Sequence, residues 1–200
     1  DTPALISQTT SDNSSSLLQS QTINGTTRVI CYSPDHNKSM ATMTESKILD
    51  VINTWCHELE TLKKDHSWVQ IFENKGEIMG CSSPHPHGQI WASSHLPTEI
   101  EKEDKSQLAH IQKHGSPLLL NYLGTELKSK ERIVCENPDW PVVVPYWATW
   151  PFETLLLPKR HVLQLTDLTD SEKASLADIL KVLLTKYDTL FDCSMPYSMG

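Results

Sequence analysis

The run His85-Pro86-His87-Gly88-Gln89-Ile90-Trp91 restricts its surroundings more than any other segment of the chain. Pro86 fixes its own φ and keeps His85 out of the helical region, so the segment reads as extended. In extended geometry residues two apart share a face, and His85, His87 and Gln89 project the same way. A nucleophile, a neighbouring imidazole and an amide donor on one face suit attack on a phosphorus centre. The histidine pair alone fits two further descriptions, ordinary loop histidines or a zinc-type metal pair. Gly76, Gly80 and Gly88 allow close backbone approach. Exposed N–H groups there, with Ser82 and Gln89, suit phosphate oxygens.

The elements around this run follow from periodicity. Arg28–Tyr32 reads as a short strand, and Trp68–Glu73 alternates as another before a turn at Asn74-Lys75-Gly76. Ile48, Val51, Ile52, Trp55, Leu59 and Leu62 recur at helical steps over 44–65, with Thr44 as N-cap. A charged helix over 97–114 ends at Gly115, and a short one spans Pro117–Lys128. Strands follow at Arg132–Cys135, Val142–Val144 and Thr154–Leu157. Thr169 and Glu172 form a capping-box pattern opening a final helix. Its buried stripe is Leu176, Ile179, Leu180, Leu183, Leu184 and Tyr187. The elements imply an α+β fold, in which the strands at Arg28–Tyr32, at Trp68–Glu73 and from Gln89 form one mainly antiparallel sheet with the 44–65 helix on one face. Residues 1–27 read as polar loop, and the chain as a piece of a longer protein.

Charge and cysteine usage narrow the classes. Seventeen Lys+Arg against 25 Asp+Glu give a net charge of −8, without a cationic stripe, which argues against nucleic acid as a partner. No apolar run approaches the about 20 residues of a membrane span. Five scattered cysteines without a CxxC pair fit a reducing, cytoplasmic setting. Cys31 and Cys81 read as buried thiols. Trp140, Trp147, Trp150 and Phe152 read as core, and His161 as a surface residue.

Four stretches carry a resemblance. Ile71-Phe-Glu-Asn-Lys-Gly76, Met79-Gly-Cys-Ser-Ser-Pro-His-Pro-His-Gly-Gln-Ile-Trp-Ala92, Pro145–Pro158 and Pro196-Tyr-Ser-Met-Gly200 closely resemble the galactose-1-phosphate uridylyltransferases. This family belongs to the histidine-triad superfamily, whose other members carry a third histidine where Gln89 stands. The resemblance runs from about Arg28 to Gly200. It implies a histidine-triad-like antiparallel sheet with packed helices, a nearly complete first repeat over 28–140, and a truncated second repeat over 141–200. Ser83 departs from the asparagine common in the family, and Leu17–Thr27 matches poorly.

The resemblance implies a ping-pong exchange. His87 matches the nucleophile that takes the uridylyl group from UDP-glucose, releases glucose 1-phosphate and passes the group to galactose 1-phosphate, giving UDP-galactose. Gln89 matches a donor to a nonbridging phosphoryl oxygen. A backbone carbonyl of the His85-Pro86 turn is expected to hold the second imidazole nitrogen. Asn74, Gly80, Cys81 and Ser82 match positions lining the phosphates, and Val29 one beside the uridine. His36 and His85 match two zinc ligands, whose family partners are an upstream cysteine pair absent here. Glu103 matches a ligand of an iron-type second site. A homodimer is implied. Two rivals stand beside this reading. One is another histidine-triad nucleotidyl enzyme, such as a dinucleoside polyphosphate phosphorylase or hydrolase. The other is a noncatalytic nucleotide- or zinc-binding module.

Overall fold

The computed structural model describes residues 16–18 and 22–200, so most of the expected polar segment 1–27 lies outside the described residues. Along the chain run β1 (Gly25–Cys31), α1 (Glu45–Leu62), β2 (Trp68–Lys75), β3 (His87–Ser93), α2 (Thr98–His114), α3 (Leu118–Ser129), β4 (Ile133–Glu136), β5 (Pro141–Val143), β6 (Leu155–Leu156), α4 (Asp170–Phe191) and β7 (Tyr197–Met199). The fold is α+β, as the sequence implies. Two compact units emerge. One comprises the described residues up to Asn37 with His57–Thr98 and Pro196–Gly200, the other Lys38–Cys56 and Glu99–Met195.

The first unit is built on an antiparallel sheet of order β1-β3-β2-β7, so the strand that starts at His87 lies inside the sheet. One face is closed: Ile90 and Ala92 of β3 pack with Leu62 at the end of α1, flanked by Ile30, Val69 and Ile71. Complete burial of an Ile or Leu side chain contributes about 1.5–3 kcal/mol, and this cluster fixes which residues of β3 must point inward. Gly88 is needed on that inward side. A Cβ there would overlap the hydroxyl of buried Tyr32 and come within 2.9 Å of its Cζ. The Tyr32 N–H in turn donates to the Pro86 carbonyl at 2.9 Å, which ties the histidine motif to the end of β1.

β7 is a strand that sequence periodicity misses, because three residues are too few to display an alternation. It pairs Ser198 with Asn74 and Tyr197 with Lys75. Gly76 permits the close approach: its φ is +92°, and a Cβ there would stand 2.7 Å from Pro196 Cβ.

The second unit has a different core. α4 buries Leu176, Ala177, Ile179, Leu180, Leu183 and Leu184, while Tyr187 of the expected stripe is half-buried and donates its hydroxyl to the Phe152 carbonyl at 2.6 Å. The capping box forms as its spacing requires, with Glu172 N–H donating to Thr169 Oγ1 at 3.2 Å and Thr169 N–H to Glu172 Oε2 at 2.8 Å. Arg160 grips the same carboxylate with two bonds of 2.7 and 2.8 Å; those bonds, with the Thr169 amide, pull its pKa down to about 2. The second sheet has the order β4-β5-β6, and all three residues of β5 are buried.

Trp140 is core as expected, donating its indole N–H to the Glu172 carbonyl at 2.9 Å. Trp147, Trp150 and Phe152 are not: they are 52%, 74% and 53% exposed. The loop carrying them is held by bonds from its own backbone. The Thr149 and Trp150 N–H groups donate to the Glu153 carboxylate, Tyr146 N–H donates to the Tyr122 hydroxyl, and Phe152 has φ of +62°.

Candidate active site

The open face of the first sheet carries the expected constellation. Pro86, Gly88, Ile90 and Ala92 are buried, while His85, His87 and Gln89 are half-buried and Trp91 is exposed. This alternation is the extended geometry anticipated from Pro86, extended into β3 by the closed-face cluster. Residues directly opposite in antiparallel strands share a face. Cys31 stands opposite His87, and Gln89 lies between Val29 of β1 and Phe72 of β2. Phe72 also meets Trp91 edge-on, with ring centroids 6.3 Å apart. The sequence shows Phe72 only as one beat of a strand. Its place beside Gln89 depends on the β2–β3 register, which no local pattern encodes.

A hydrogen bond selects one tautomer of neutral His87. Its Nδ1 lies 2.7 Å from the His85 carbonyl oxygen. A carbonyl can only accept, so the ring proton sits on Nδ1, and Nε2 keeps its lone pair in the neutral imidazole. This is the turn carbonyl expected from the sequence. In that tautomer Nε2 is the nitrogen available to react.

Cys31 is exposed and Cys81 half-exposed, against the expectation of buried thiols. The β1 alternation sends Cys31 to the open face with Val29, which is itself 65% exposed. The Cys81 thiol donates to the Ser83 carbonyl at 2.9 Å across a turn. The N–H groups of Met79, Gly80 and Cys81 are consumed inside that turn by the carbonyls of Gly76 and Glu77. The expected cradle of free amides is thus not formed by these three. Gly80 still serves the turn through its φ of +78°, and Ser82 is exposed beside it. Asn74, on the open side of β2, accepts at Oδ1 from the Ser198 hydroxyl at 2.7 Å.

Next to Asn74, Glu73 points to the closed face and is only 4% exposed. The Tyr197 hydroxyl donates to its Oε2 at 3.1 Å. Burial outweighs Tyr197 and Lys75 and raises its pKa to about 7.

His36 and His85 come together as the resemblance implies, with their Nδ1 atoms 2.8 Å apart and rings edge-to-face at 4.5 Å. Imidazole nitrogens suit zinc, and two bound at about 2.0–2.1 Å in a tetrahedron sit a little further apart than this. The pair fits half of a four-ligand set. Among the described residues no group of three or more His, Cys, Asp or Glu gathers to complete one. Glu103 lies exposed on α2, within the second unit, and His161 is exposed.

An imidazole with a free nitrogen, carried on the open face of an α+β sheet beside a side-chain amide, is an arrangement that suits nucleophilic attack. Two family models place the chain more closely. "Galactose-1-phosphate uridyl transferase, N-terminal domain" matches residues 2–97, and the C-terminal domain of the same description matches 102–200. The chain belongs to the galactose-1-phosphate uridylyltransferase family.

The enzyme of that name from Haemophilus influenzae is 54% identical across the whole chain, which covers 58% of that relative. The Rattus norvegicus enzyme is 48% identical over 92% of this chain and 48% of its own length. The chain thus spans about half the length of these curated relatives. Among solved structures, a uridylyltransferase superposes with a TM-score of 0.82 at 31% identity, over 88% of this chain and 57% of that one. An ADP-glucose phosphorylase from Arabidopsis thaliana with bound ADP-glucose gives 0.79 at 25%, over 88% and 55%. Among the described residues no helix is long and apolar enough to cross a membrane.

Proposed function

We propose that the complete protein exchanges a uridylyl group between UDP-glucose and galactose 1-phosphate through His87. The observation that carries this reading is the 2.7 Å bond from His87 Nδ1–H to the His85 carbonyl, which leaves Nε2 free on the open face. In the first half-reaction Nε2 attacks the α-phosphorus of UDP-glucose. The bond from that phosphorus to the bridging oxygen breaks, and glucose 1-phosphate leaves with the electron pair. The imidazole, now substituted at Nε2 and protonated at Nδ1, carries a positive charge that the His85 carbonyl dipole stabilises. In the second half-reaction a phosphate oxygen of galactose 1-phosphate attacks the same phosphorus. The P–N bond breaks, giving UDP-galactose and neutral His87.

Gln89 donates from its amide to a nonbridging oxygen as charge shifts onto it. An amide cannot protonate a departing group, so the adduct persists until the acceptor arrives. Val29 and Phe72 supply apolar walls on either side of Gln89, with Val29 beside the uridine. Asn74 and Ser82, with Gly80 and Cys81 shaping the turn, face the phosphates. We assign His36 and His85 to a zinc site completed from elsewhere in the full protein, and Glu103 to the iron-type second site. Zinc there would brace the loop that bears His85; no step of the transfer is routed through it. A homodimer in the cytoplasm, with a first repeat over 28–140 and a second opening at 141, completes the reading.

The test is the intact mass of the full-length protein after incubation with UDP-glucose, beside His87→Ala. The expected result is a gain of one uridylyl group that vanishes in the variant and discharges on addition of galactose 1-phosphate. Nucleotide binding with no adduct would overturn the assignment of His87. The likeness to an ADP-glucose phosphorylase keeps a second reading in view. An adduct formed faster from ADP-glucose than from UDP-glucose would select it.

A further inference from the structure

We propose that Ser198 is a positioning residue: its hydroxyl sets the orientation of the Asn74 amide, so that the NH2 end rather than the oxygen meets the phosphates of a nucleoside diphosphate. This rests on the phosphate-facing reading of Asn74 given above. An asparagine amide has two chemically opposite ends, an oxygen that only accepts and an NH2 that only donates. A diphosphate offers acceptors alone. The wrong rotamer would turn a lone pair toward an anion, so something must choose.

In this structure Ser198 meets the oxygen end. It lies directly opposite Asn74 in the β2–β7 pair, and its Oγ donates to Asn74 Oδ1 at 2.7 Å. The Asn74 NH2 donates to no protein group among the described residues, which leaves both of its hydrogens for a ligand. Such a selector works only if its own strand is fixed, and β7 is fixed from three directions. On the closed face Tyr197 donates to buried Glu73 at 3.1 Å, and the Lys75 ammonium sits 5.3 Å from the Tyr197 ring centroid. At one end Pro196 packs on Gly76. At the other, a Cβ on Gly200 would lie 3.1 Å from Phe72 Cβ and 3.3 Å from the Ile71 carbonyl. The three-residue strand missing from the sequence reading thus joins the site through one hydroxyl.

The experiment is a double-mutant cycle in the full-length protein, carried out in a His87→Ala background so that calorimetry with UDP-glucose reads binding without transfer. Ser198 is exposed, so its truncation leaves the fold intact, which far-UV circular dichroism checks. Ser198→Ala is expected to weaken binding about tenfold, as loss of one hydrogen bond to a ligand-contacting group does, and Ser198→Thr to restore it. With Asn74→Ala already present, Ser198→Ala should add less than about twofold, because the two act as one unit. Effects that multiply, or a silent Ser198→Ala, would overturn the proposal. If the cycle is additive while the wild-type protein still forms its His87 adduct, only the Ser198 inference falls. If the cycle couples but no adduct forms, the transfer reading falls and the Ser198 inference stands. Absence of any UDP-glucose binding overturns both.

Discussion

The two sheets of this protein are both antiparallel and differ in how they expose their faces. In the β1-β3-β2-β7 sheet one face is closed by Ile90, Ala92 and their neighbours, while the other carries His87, Gln89, Val29, Phe72 and Asn74. In the β4-β5-β6 sheet, Pro141, Val142 and Val143 are buried on both faces. A strand that alternates can hold chemistry on one side while the other side anchors it. A strand buried throughout has no side left to offer. The lesson is that reactive groups in this molecule are borne by backbone whose inward residues are tightly specified. The second unit stores its stability in the α4 stripe instead.

Separating the two roles is the sharpest way to break this comparison. His87→Ala should lower kcat/KM by on the order of 10^5-fold, as removal of a covalent nucleophile does, with an unchanged thermal midpoint. Steady-state exchange assays beside calorimetric melting check it. Ile179→Ala, in the α4 stripe, should do the reverse. It is expected to cost about 2–5 kcal/mol in urea unfolding, while activity per folded molecule stays at the wild-type level. A large activity loss in that variant would merge the two roles.

Within the first sheet, the two faces can be set against each other. Gln89→Ala on the open face should lower kcat by about 10²–10³-fold, the usual cost of one donor to a developing oxyanion. Glu73, on the closed face, should be read by stability. Its pKa is raised by burial from the ordinary 4.5 to about 7. Between those values the folded state binds more protons than the unfolded one, so stability is highest at the acid end and falls as pH rises toward 7. The contribution lost is about 3 kcal/mol. Glu73→Gln, which still accepts from Tyr197, should flatten that slope in urea titrations at pH 4.5, 6 and 8. A slope equal to the wild type's would mean that other groups carry it.

The smallest effect belongs to neither sheet. The exposed Lys102–Glu99 pair on α2, at 2.7 Å, should contribute less than about 0.5 kcal/mol, so Lys102→Ala should leave the unfolding midpoint in place.

Much of the site was legible because Pro86 leaves the chain little choice. An extended His85-X-His87-X-Gln89 has to show its odd-numbered residues together, and the resemblance along Ile71–Gly76 and Met79–Ala92 named the chemistry. The helices were legible for an equally local reason: the caps at Thr44 and Thr169 and the terminator Gly115 act within a turn of the helices they bound. Expectations failed where local pattern competes with tertiary placement. Trp147, Trp150 and Phe152 look like core by composition. Their loop pairs its backbone donors with Glu153 and Tyr122, and the rings stay exposed. Cys31 looks like a small buried hydrophobe, yet its register opposite His87 exposes it. The glycine turn looks like an amide cradle, yet it consumes the N–H groups of Met79, Gly80 and Cys81.

By itself, the sequence determined that His87 sits on a strand face with Gln89, that its neighbouring carbonyl holds its proton, and that the chain belongs with uridylyltransferases. Those properties depend on dihedral restraints and spacings within a few residues. Only the tertiary structure decided that Phe72 and Val29 flank Gln89 and that Ser198 reaches Asn74 across 124 positions of chain. Those pairings depend on strand register, which is set by closure of Ile90 and Ala92 against Leu62 and by the fit of Pro196 over Gly76, contacts that no window of sequence contains.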